Sequence, residues 1–334
     1  MFQATARRSA ALAATLMATG LALTTATTPA AASPPPAATT ATAATPPTAA
    51  TPPTAGTTPV AGTTAVAASL TTGSDRPAII GGRTATETYP FMVSFRLPQE
   101  PDHHCGGALV AVDWVVTAAH CKGLLKPGGT RVRVGSLDRD EGGVPAGVKR
   151  VVVHPDFGSR RERRGAEADI ALVRLDRRVD LTPIPIAGDA GDVGEPSRVL
   201  GWGMTCEDRE DPACAGGPRV LRELDTVRVA DDRCVTLDGV AELCAGERDG
   251  RAASACNGDS GGPQIRRVGD RWELIGATSR DGDDVDDRMD GAAGCSTNPS
   301  GGPGVGIWTD VTHYRSWIAR ILGEEAPAEV RSAS

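Results

Sequence analysis

The chain has 334 residues, a formal net charge of −7 and eight cysteines. The first 78 residues carry three arginines and one aspartate, so the remaining chain has a net charge of −9. This acidity argues against nucleic acid as a partner, because binding to phosphate backbones depends on clustered Lys and Arg.

Residues 1–32 predict a secretory signal peptide. Arg7 and Arg8 precede the apolar run "ALAATLMATGLAL", and small residues follow at Ala30 and Ala32. This order is typical of a signal peptide, here cleaved after Ala32. A membrane helix is the alternative, but the run is too short to span comfortably and lacks a stop-transfer flank. We therefore expect a secreted, extracellular protein with no stable membrane span.

Residues 33–78 are almost entirely Ala, Thr and Pro. Such a segment cannot bury enough apolar surface to offset the entropy of ordering, which predicts a disordered pro-segment or linker. A glycosylated or wall-spanning stalk is equally compatible with this composition.

Residues 79–322 predict a folded all-β domain. Short apolar runs alternate with Gly, Pro and Asp, as in "FMVSF" (91–95), "WVVTAA" (114–119), "TRVRVG" (130–135), "VKRVVVHP" (148–155), "IALVRL" (170–175), "RVLGWG" (198–203), "LRELDTVRV" (221–229) and "ELIGATS" (273–279). This pattern favours a sandwich or a pair of barrels over βαβ units.

The end of this domain predicts one helix, "THYRSWIARIL", followed by a flexible tail at 323–334. Its apolar residues share one helical face. They are Tyr314, Trp317, Ile318, Ile321 and Leu322.

The eight cysteines predict four disulfides, because an even count behind a signal peptide indicates an oxidising compartment. Zinc is the alternative. The sequence has no C-x-x-C pair or paired Cys/His spacing, which disfavours it.

Three residues predict nucleophilic catalysis. Ser260 lies in "CNGDSGGP" (256–263), His120 ends the run "WVVTAAHC", and Asp169 opens "DIALVRL". Each alone is compatible with a purely structural role. Together they fit a triad in which Asp169 orients His120 and His120 removes the proton of Ser260.

Ser260 also satisfies G-x-S-x-G, the nucleophile elbow of α/β-hydrolases. That fold requires a strand, turn and helix around the serine, with the acid and histidine after it. Here His120 and Asp169 precede Ser260, and strand-like sequence follows it. The order of these three residues along the chain excludes the nucleophile elbow of an α/β-hydrolase.

Several motifs occur in the order seen in chymotrypsin/trypsin-like serine proteases, and the chain resembles a secreted bacterial member of that family. They are "IIGG" (79–82), "CGGALV…WVVTAAHC" (105–121), "DIALVRL" (169–175), "GWG" (201–203), "CNGDSGGP" (256–263) and "SWIARIL" (316–322). The resemblance covers residues 79–322. It implies two packed six-stranded antiparallel β-barrels with a C-terminal α-helix.

The implied function is that of a monomeric serine endopeptidase that works through an acyl-enzyme and needs no cofactor. Its implied partners are protein or peptide substrates and an activating protease.

The resemblance also assigns roles near the nucleophile. Gly258 and Ser260 would donate backbone N–H groups to the oxyanion, which is worth about 3 kcal/mol per donor. Asp259 would pair with the new α-amino group of Ile79 after activation, and Ser279 would bond the catalytic aspartate. By similarity the disulfides pair as Cys105–Cys121, Cys234–Cys244, Cys256–Cys295 and Cys206–Cys214.

Two positions depart from the family pattern. Ala78 precedes Ile79 where many relatives carry a basic residue, so we expect activation by another secreted protease that prefers small residues. The resemblance implies that Ser254 lies at the base of the primary pocket, where trypsin-like members carry aspartate. We therefore expect apolar or small side chains before the cut bond, with Gly306, or alternatively Gly304, keeping the pocket wall open.

After Ser279 the chain continues with Arg280 and an acidic stretch at 281–290. We interpret this stretch as a solvated insertion. Alternatives are a rim that confers a preference for basic residues, or a weak calcium site. Ser136 stands where a calcium-binding member needs a carboxylate, so we expect no metal.

Two functions of other classes compete with catalysis. One is a catalytically inactive binding protein on the same fold, although such proteins usually lose a triad member. The other is a surface-anchored structural protein, which the absence of a C-terminal sorting motif disfavours.

Overall fold

The computed structural model describes residues 79–100, 102–158, 168–205, 217–235, 237–247, 254–282 and 304–324. All of these residues belong to one compact unit. The predicted signal peptide, the Ala/Thr/Pro-rich segment and nearly all of the predicted tail lie outside these ranges. Within the described ranges, no helix is both long and apolar enough to cross a membrane.

The described chain is mostly strand. In chain order the strands are β1 (Arg83–Thr84), β2 (Met92–Arg96), β3 (His103–Ala111), β4 (Trp114–Thr117), β5 (Arg131–Val134), β6 (Val144–Val153), β7 (Ala171–Leu175), β8 (Pro196–Gly201), β9 (Arg222–Arg228), β10 (Glu242–Gly246), β11 (Pro263–Val268), β12 (Arg271–Asp281) and β13 (Val305–Asp310). Single 3₁₀ turns lie at Ala119–Gly123 and Asp231–Arg233, and the helix α1 spans Arg315–Glu324.

The first barrel closes in the order β2-β3-β4-β7-β6-β5, with β5 pairing back to β2. All four residues of β4 are buried, as are four of the five in β7. This explains why their sequences read as continuous apolar runs rather than as alternating patterns. Closure leaves the barrel with no exposed edge strand, which protects it from edge-to-edge pairing.

The second barrel contains β8 to β13. Its strands follow the order β9-β10-β13-β12-β11-β8, and β8 also pairs with β9, which closes the ring. The short strand β1 adds to the outside of β9. Two six-stranded antiparallel barrels and a C-terminal helix are what the family resemblance predicts, so that prediction is confirmed.

The helix α1 uses the predicted apolar face. Trp317, Ile318 and Ile321 are buried, as is Tyr314 just before the helix, and Leu322 packs against the same core cluster. The turn that precedes the helix is stabilised by Asp310, whose carboxylate accepts hydrogen bonds from the N–H groups of Thr312 and His313.

A separate apolar cluster lies in the second barrel and includes the first described residue, Ile79. Its members are Ile79, Ala190, Val199, Leu224, Leu243, Ala245, Ala255 and Trp308, and we call it the Ile79 cluster. Ile79 is completely buried. The adjoining Ile80 accepts a hydrogen bond at 3.1 Å from the N–H of Ser254, which joins the start of the domain to the predicted pocket.

Candidate active site

Asp169 accepts two hydrogen bonds from His120. Its Oδ2 accepts a hydrogen bond from His120 Nδ1 at 2.7 Å, and its Oδ1 accepts one from the His120 backbone N–H at 2.8 Å. The carboxylate is fully buried, whereas 35% of the His120 side chain is exposed. Because Asp169 accepts at Nδ1, the proton of the neutral ring is held there and Nε2 is left to act as a base.

The second barrel holds Asp169 in place. Ser279 Oγ, on β12, donates to Asp169 Oδ2 at 2.7 Å, and Thr309 Oγ1, on β13, donates to its backbone carbonyl at 2.9 Å. The preceding residue, Ala168, has φ of 49°, a left-handed conformation that alanine rarely adopts. This backbone strain at the mouth of β7 is compensated by the surrounding hydrogen bonds.

Two opposing effects set the pKa of His120. Burial lowers it, because a charged ring loses solvation, whereas the hydrogen bond and the charge of Asp169 raise it. The net result is a pKa above the ordinary value of 6.5. The site therefore stabilises the imidazolium that forms when His120 takes a proton.

The loop that carries Ser260 packs tightly on the first barrel. The carbonyl oxygen of Ser260 accepts a hydrogen bond from Gly106 N at 2.8 Å and lies 3.9 Å from Cys121 Sγ. Cys121 directly follows His120 and is bonded to Cys105, so the Ser260 loop lies against the disulfide that adjoins the histidine. In the described chain no hydrogen bond joins the Ser260 hydroxyl to the His120 ring, a contact that in such sites often tightens only with substrate bound.

The position after Ser260 requires a glycine, Gly261. Its φ is +74°, and a Cβ there would lie 2.2 Å from Thr117 Oγ1 and 2.7 Å from Ala118 N. No other residue fits without moving β4, so the close approach of this loop to the first barrel depends on glycine.

Two peptide N–H groups are available to an oxyanion. Asn257 O accepts from Met204 N at 2.8 Å, and Asp259 O accepts from Gly262 N at 2.7 Å. A trans peptide directs its N–H opposite to its C=O, so these bonds fix the directions of the Gly258 and Ser260 N–H groups. Neither of these two N–H groups has a hydrogen-bond partner among the described residues.

His103 is a residue of this site that the sequence reasoning missed. It is the first residue of β3 and is buried. Its Nε2 lies 2.8 Å from Gly258 O and its Nδ1 lies 2.8 Å from Ser94 Oγ. A carbonyl can only accept, so Nε2 carries the proton and Nδ1 accepts from Ser94.

Burial lowers the pKa of His103 to about 3, so the ring is neutral at physiological pH. It also stacks edge-on against Trp202 of the GWG motif, with ring centroids 5.3 Å apart. His103 thus anchors the carbonyl of Gly258 to the first barrel. No feature of its local sequence distinguishes it from the adjacent His104.

Asp259, which precedes Ser260, is completely buried. Its oxygens accept from Gly203 N and Cys256 N, each at 2.8 Å. Burial raises its pKa to about 7 despite these two bonds. Gly201 and Gly203 make room for it, because a Cβ at either position would lie within 2.3 Å of an Asp259 oxygen.

The predicted pocket residues also meet. Ser254 is 3% exposed, and its Oγ would lie 3.5 Å from a Cβ built on Gly306. The space beside Gly306 is not open, however, because that Cβ would lie 2.8 Å from the ring of Trp308. Arg280 ion-pairs with Glu242 of β10, its Nη2 lying 2.8 Å from Glu242 Oε2. Most of the acidic stretch, residues 283–290, lies outside the described ranges.

Two disulfides have the predicted pairing, Cys105–Cys121 and Cys234–Cys244. Cys256 is also disulfide-bonded. Its predicted partner Cys295, and the pair Cys206 and Cys214, lie outside the described residues.

Comparison with known proteins identifies the family of this chain. Residues 79–318 match the family described as Trypsin. Mouse vitamin K-dependent protein C is 31% identical over 266 residues, which is 75% of this chain and 53% of that protein. The chain therefore spans about half the length of this curated relative.

Among solved structures, neuropsin, a serine protease expressed in the limbic system of mouse brain, matches with a TM-score of 0.57 and 25% identity. The match covers 73% of this chain and 100% of neuropsin. These mouse proteins do not test the expected bacterial origin.

Proposed function

We propose that this chain, which belongs to the trypsin family, is a serine endopeptidase. In this proposal Ser260 is the nucleophile, His120 the general base and acid, and Asp169 the carboxylate that orients His120. The observation that carries this proposal is the pair of hydrogen bonds that buried Asp169 accepts from His120, beside the loop of Ser260. The same positions satisfy the motif order of the family.

Acylation begins when Ser260 Oγ attacks the carbonyl carbon of the substrate. His120 Nε2 takes the hydroxyl proton, and Asp169 stabilises the resulting imidazolium. The carbonyl oxygen becomes an oxyanion and accepts hydrogen bonds from the N–H groups of Gly258 and Ser260, whose directions are fixed before substrate arrives. The C–N bond then breaks, and His120 returns the proton to the leaving amine.

Deacylation repeats these steps with water as the nucleophile. His120 removes a proton from the water as its oxygen attacks the acyl carbon. Collapse of the second tetrahedral intermediate breaks the bond to Ser260 Oγ, which takes the proton back from His120. The enzyme is thereby regenerated and the acid product leaves.

The primary pocket takes apolar or small side chains. Its base carries Ser254 rather than a carboxylate, and a substrate Arg or Lys would bury an unpaired charge there. The rival proposal is a preference for basic residues conferred by the acidic stretch at 281–290. A peptide library decides between the two, because cleavage strictly after Arg or Lys would exclude the first.

Activation requires a cut before Ile79 by a protease that accepts Ala78. The new α-amino group would then offer Asp259 a charged partner. The buried state of both residues and the raised pKa of Asp259 support this proposal. N-terminal sequencing of active enzyme should find Ile79, and active material with a different first residue would contradict it.

We further propose secretion of a monomeric enzyme into an extracellular space, in accord with the signal peptide predicted at 1–32 and the disulfides. The bacterial origin expected from the resemblance remains a prediction.

A fluorophosphonate probe tests the catalytic proposal. Enzyme that begins at Ile79 should be labelled on Ser260, and the Ser260→Ala variant should not be labelled. Ser316→Ala, a matched change at an exposed serine of α1, should be labelled like the parent. If the parent enzyme is not labelled, the chain is the inactive binding protein that competes with this proposal.

A further inference from the structure

Trp308 lies on β13, one strand away from the nucleophile loop. Gly261, which follows Ser260, donates its N–H to Thr278 O at 2.8 Å, and Thr278 is paired with Trp308. Along β13, Trp308 lies two residues after Gly306, so both point to the same side of the strand. The indole is therefore placed beside the residue assigned to the pocket wall.

The tip of the Trp308 ring occupies the space that the missing side chain of Gly306 leaves. A Cβ on Gly306 would lie 2.8 Å from both Cζ3 and Cη2 of the indole. Ser254 Oγ borders the same space at 3.5 Å. The absence of a side chain at Gly306 thus lets the indole pack against the backbone there, beside Ser254.

The ring is held from behind and cannot easily withdraw. Trp308 is 1% exposed and belongs to the Ile79 cluster, which also contains Leu243 from the paired strand β10. Protein interiors are packed to the density of organic crystals, so an incoming side chain could displace the indole only by shifting its neighbours.

We propose that Trp308 forms the floor of the primary pocket and makes the pocket favour small side chains such as those of Ala and Val over larger ones. This inference rests on the proposed function and deepens it, because it names the substrate class. The pocket is too short for larger side chains, so peptides that carry them before the cut bond are cleaved poorly whatever the charge of the side chain. These residues are Leu, Phe, Tyr, Arg and Lys. A steric difference of one methylene typically changes kcat/KM by roughly 10- to 200-fold.

The test compares the parent enzyme and Trp308→Phe on a peptide series that varies only the residue before the cut bond. Both proteins begin at Ile79, and rates are normalised to sites titrated with a fluorophosphonate. Trp272→Phe is the matched control. The indole N–H groups of Trp272 and Trp308 are both buried with no hydrogen-bond partner in the described chain. Trp272 lies at the start of β12, beneath Arg267 and far along the strand from Thr278, the residue that pairs with Trp308.

The parent should prefer Ala and Val over Phe by at least about tenfold in kcat/KM. Trp308→Phe should reduce or reverse that preference by a similar factor, and Trp272→Phe should leave it unchanged. A parent enzyme that cleaves best after Phe, Tyr or a basic residue overturns the inference even if the variant fails to fold. The inference is also overturned if Trp308→Phe reacts with the fluorophosphonate but keeps the parent's preference for the residue before the cut bond. If the parent itself does not react with the fluorophosphonate, the proposed function is overturned instead.

Discussion

Replacing Asp169 by asparagine removes a charge from the site while keeping its shape. The amide oxygen must stay where Oδ1 now accepts from the His120 backbone N–H, because an NH₂ group there would face another donor. The NH₂ group then takes the place of Oδ2 and donates to His120 Nδ1. This forces the ring proton onto Nε2, which can no longer accept the proton of Ser260.

The expected loss in kcat is roughly 10⁴-fold, the order known for this change of tautomer in a triad. It corresponds to about 5 kcal/mol of transition-state stabilisation. The pH profile should move as well. With Asp169 present, the pKa of His120 is raised, so the acid limb of kcat/KM lies above pH 6.5. Without the carboxylate only burial remains, which lowers that pKa and moves the limb below pH 6.5.

The assay is steady-state kinetics from pH 5 to 9 on enzyme that begins at Ile79, with active sites titrated. Asp156→Asn is the control, because that carboxylate is 72% exposed and should alter kcat/KM less than about twofold. A loss in kcat smaller than tenfold, or an acid limb that stays in place, would refute the assigned role of Asp169.

Three further predictions concern the nucleophile loop. Gly261→Ala should lower the melting temperature and abolish probe labelling, since its Cβ would lie 2.2 Å from Thr117 Oγ1; calorimetry showing an unchanged transition would contradict this. His103→Phe should reduce kcat and destabilise the enzyme by about 1–3 kcal/mol in urea titration, because Gly258 O and Ser94 lose their partner; equal stability would count against the anchoring role. In protein not cut before Ile79, the raised pKa of Asp259, about 7, should make stability fall by roughly 1.4 kcal/mol per unit as pH rises from about 4 to 7. Asp259→Asn should remove that slope, and a slope that persists would point to other groups.

The sign of the Asp259 effect follows from proton binding. In the folded protein the carboxyl keeps its proton up to about pH 7, whereas in the unfolded chain it loses the proton near its ordinary value of 3.8. Between these values the folded state binds more protons, so raising the pH favours unfolding. The stabilisation is complete below pH 3.8 and is lost as pH passes 7.

The sequence predicted those site residues that lie next to a recognisable apolar run. His120 lies in the 3₁₀ turn that follows β4, and Asp169 lies just before β7, so the buried apolar runs beside them indicate where along the chain each residue falls. The two-barrel fold came from motif order instead, because short apolar runs are compatible with either a sandwich or barrels.

The interactions that the sequence did not predict depend on contacts between distant segments. His103 and Gly258 are 155 residues apart, so no local pattern connects them. Gly306 was expected to keep the pocket open, since glycine lacks a side chain. Whether that volume belongs to substrate or to protein depends on the rotamer of Trp308, which the sequence does not specify.

The residues of the proposed active site are divided between the two barrels. His120 and Asp169 belong to the first, whereas Ser260, Ser279 and Thr309 belong to the second. Neither half contains a complete catalyst, so hydrolysis reports on the docking of one half against the other. Turnover should accordingly disappear as soon as the halves part, before either barrel has lost its own strands, which makes activity a more sensitive gauge of the assembled molecule than its β-sheet signal.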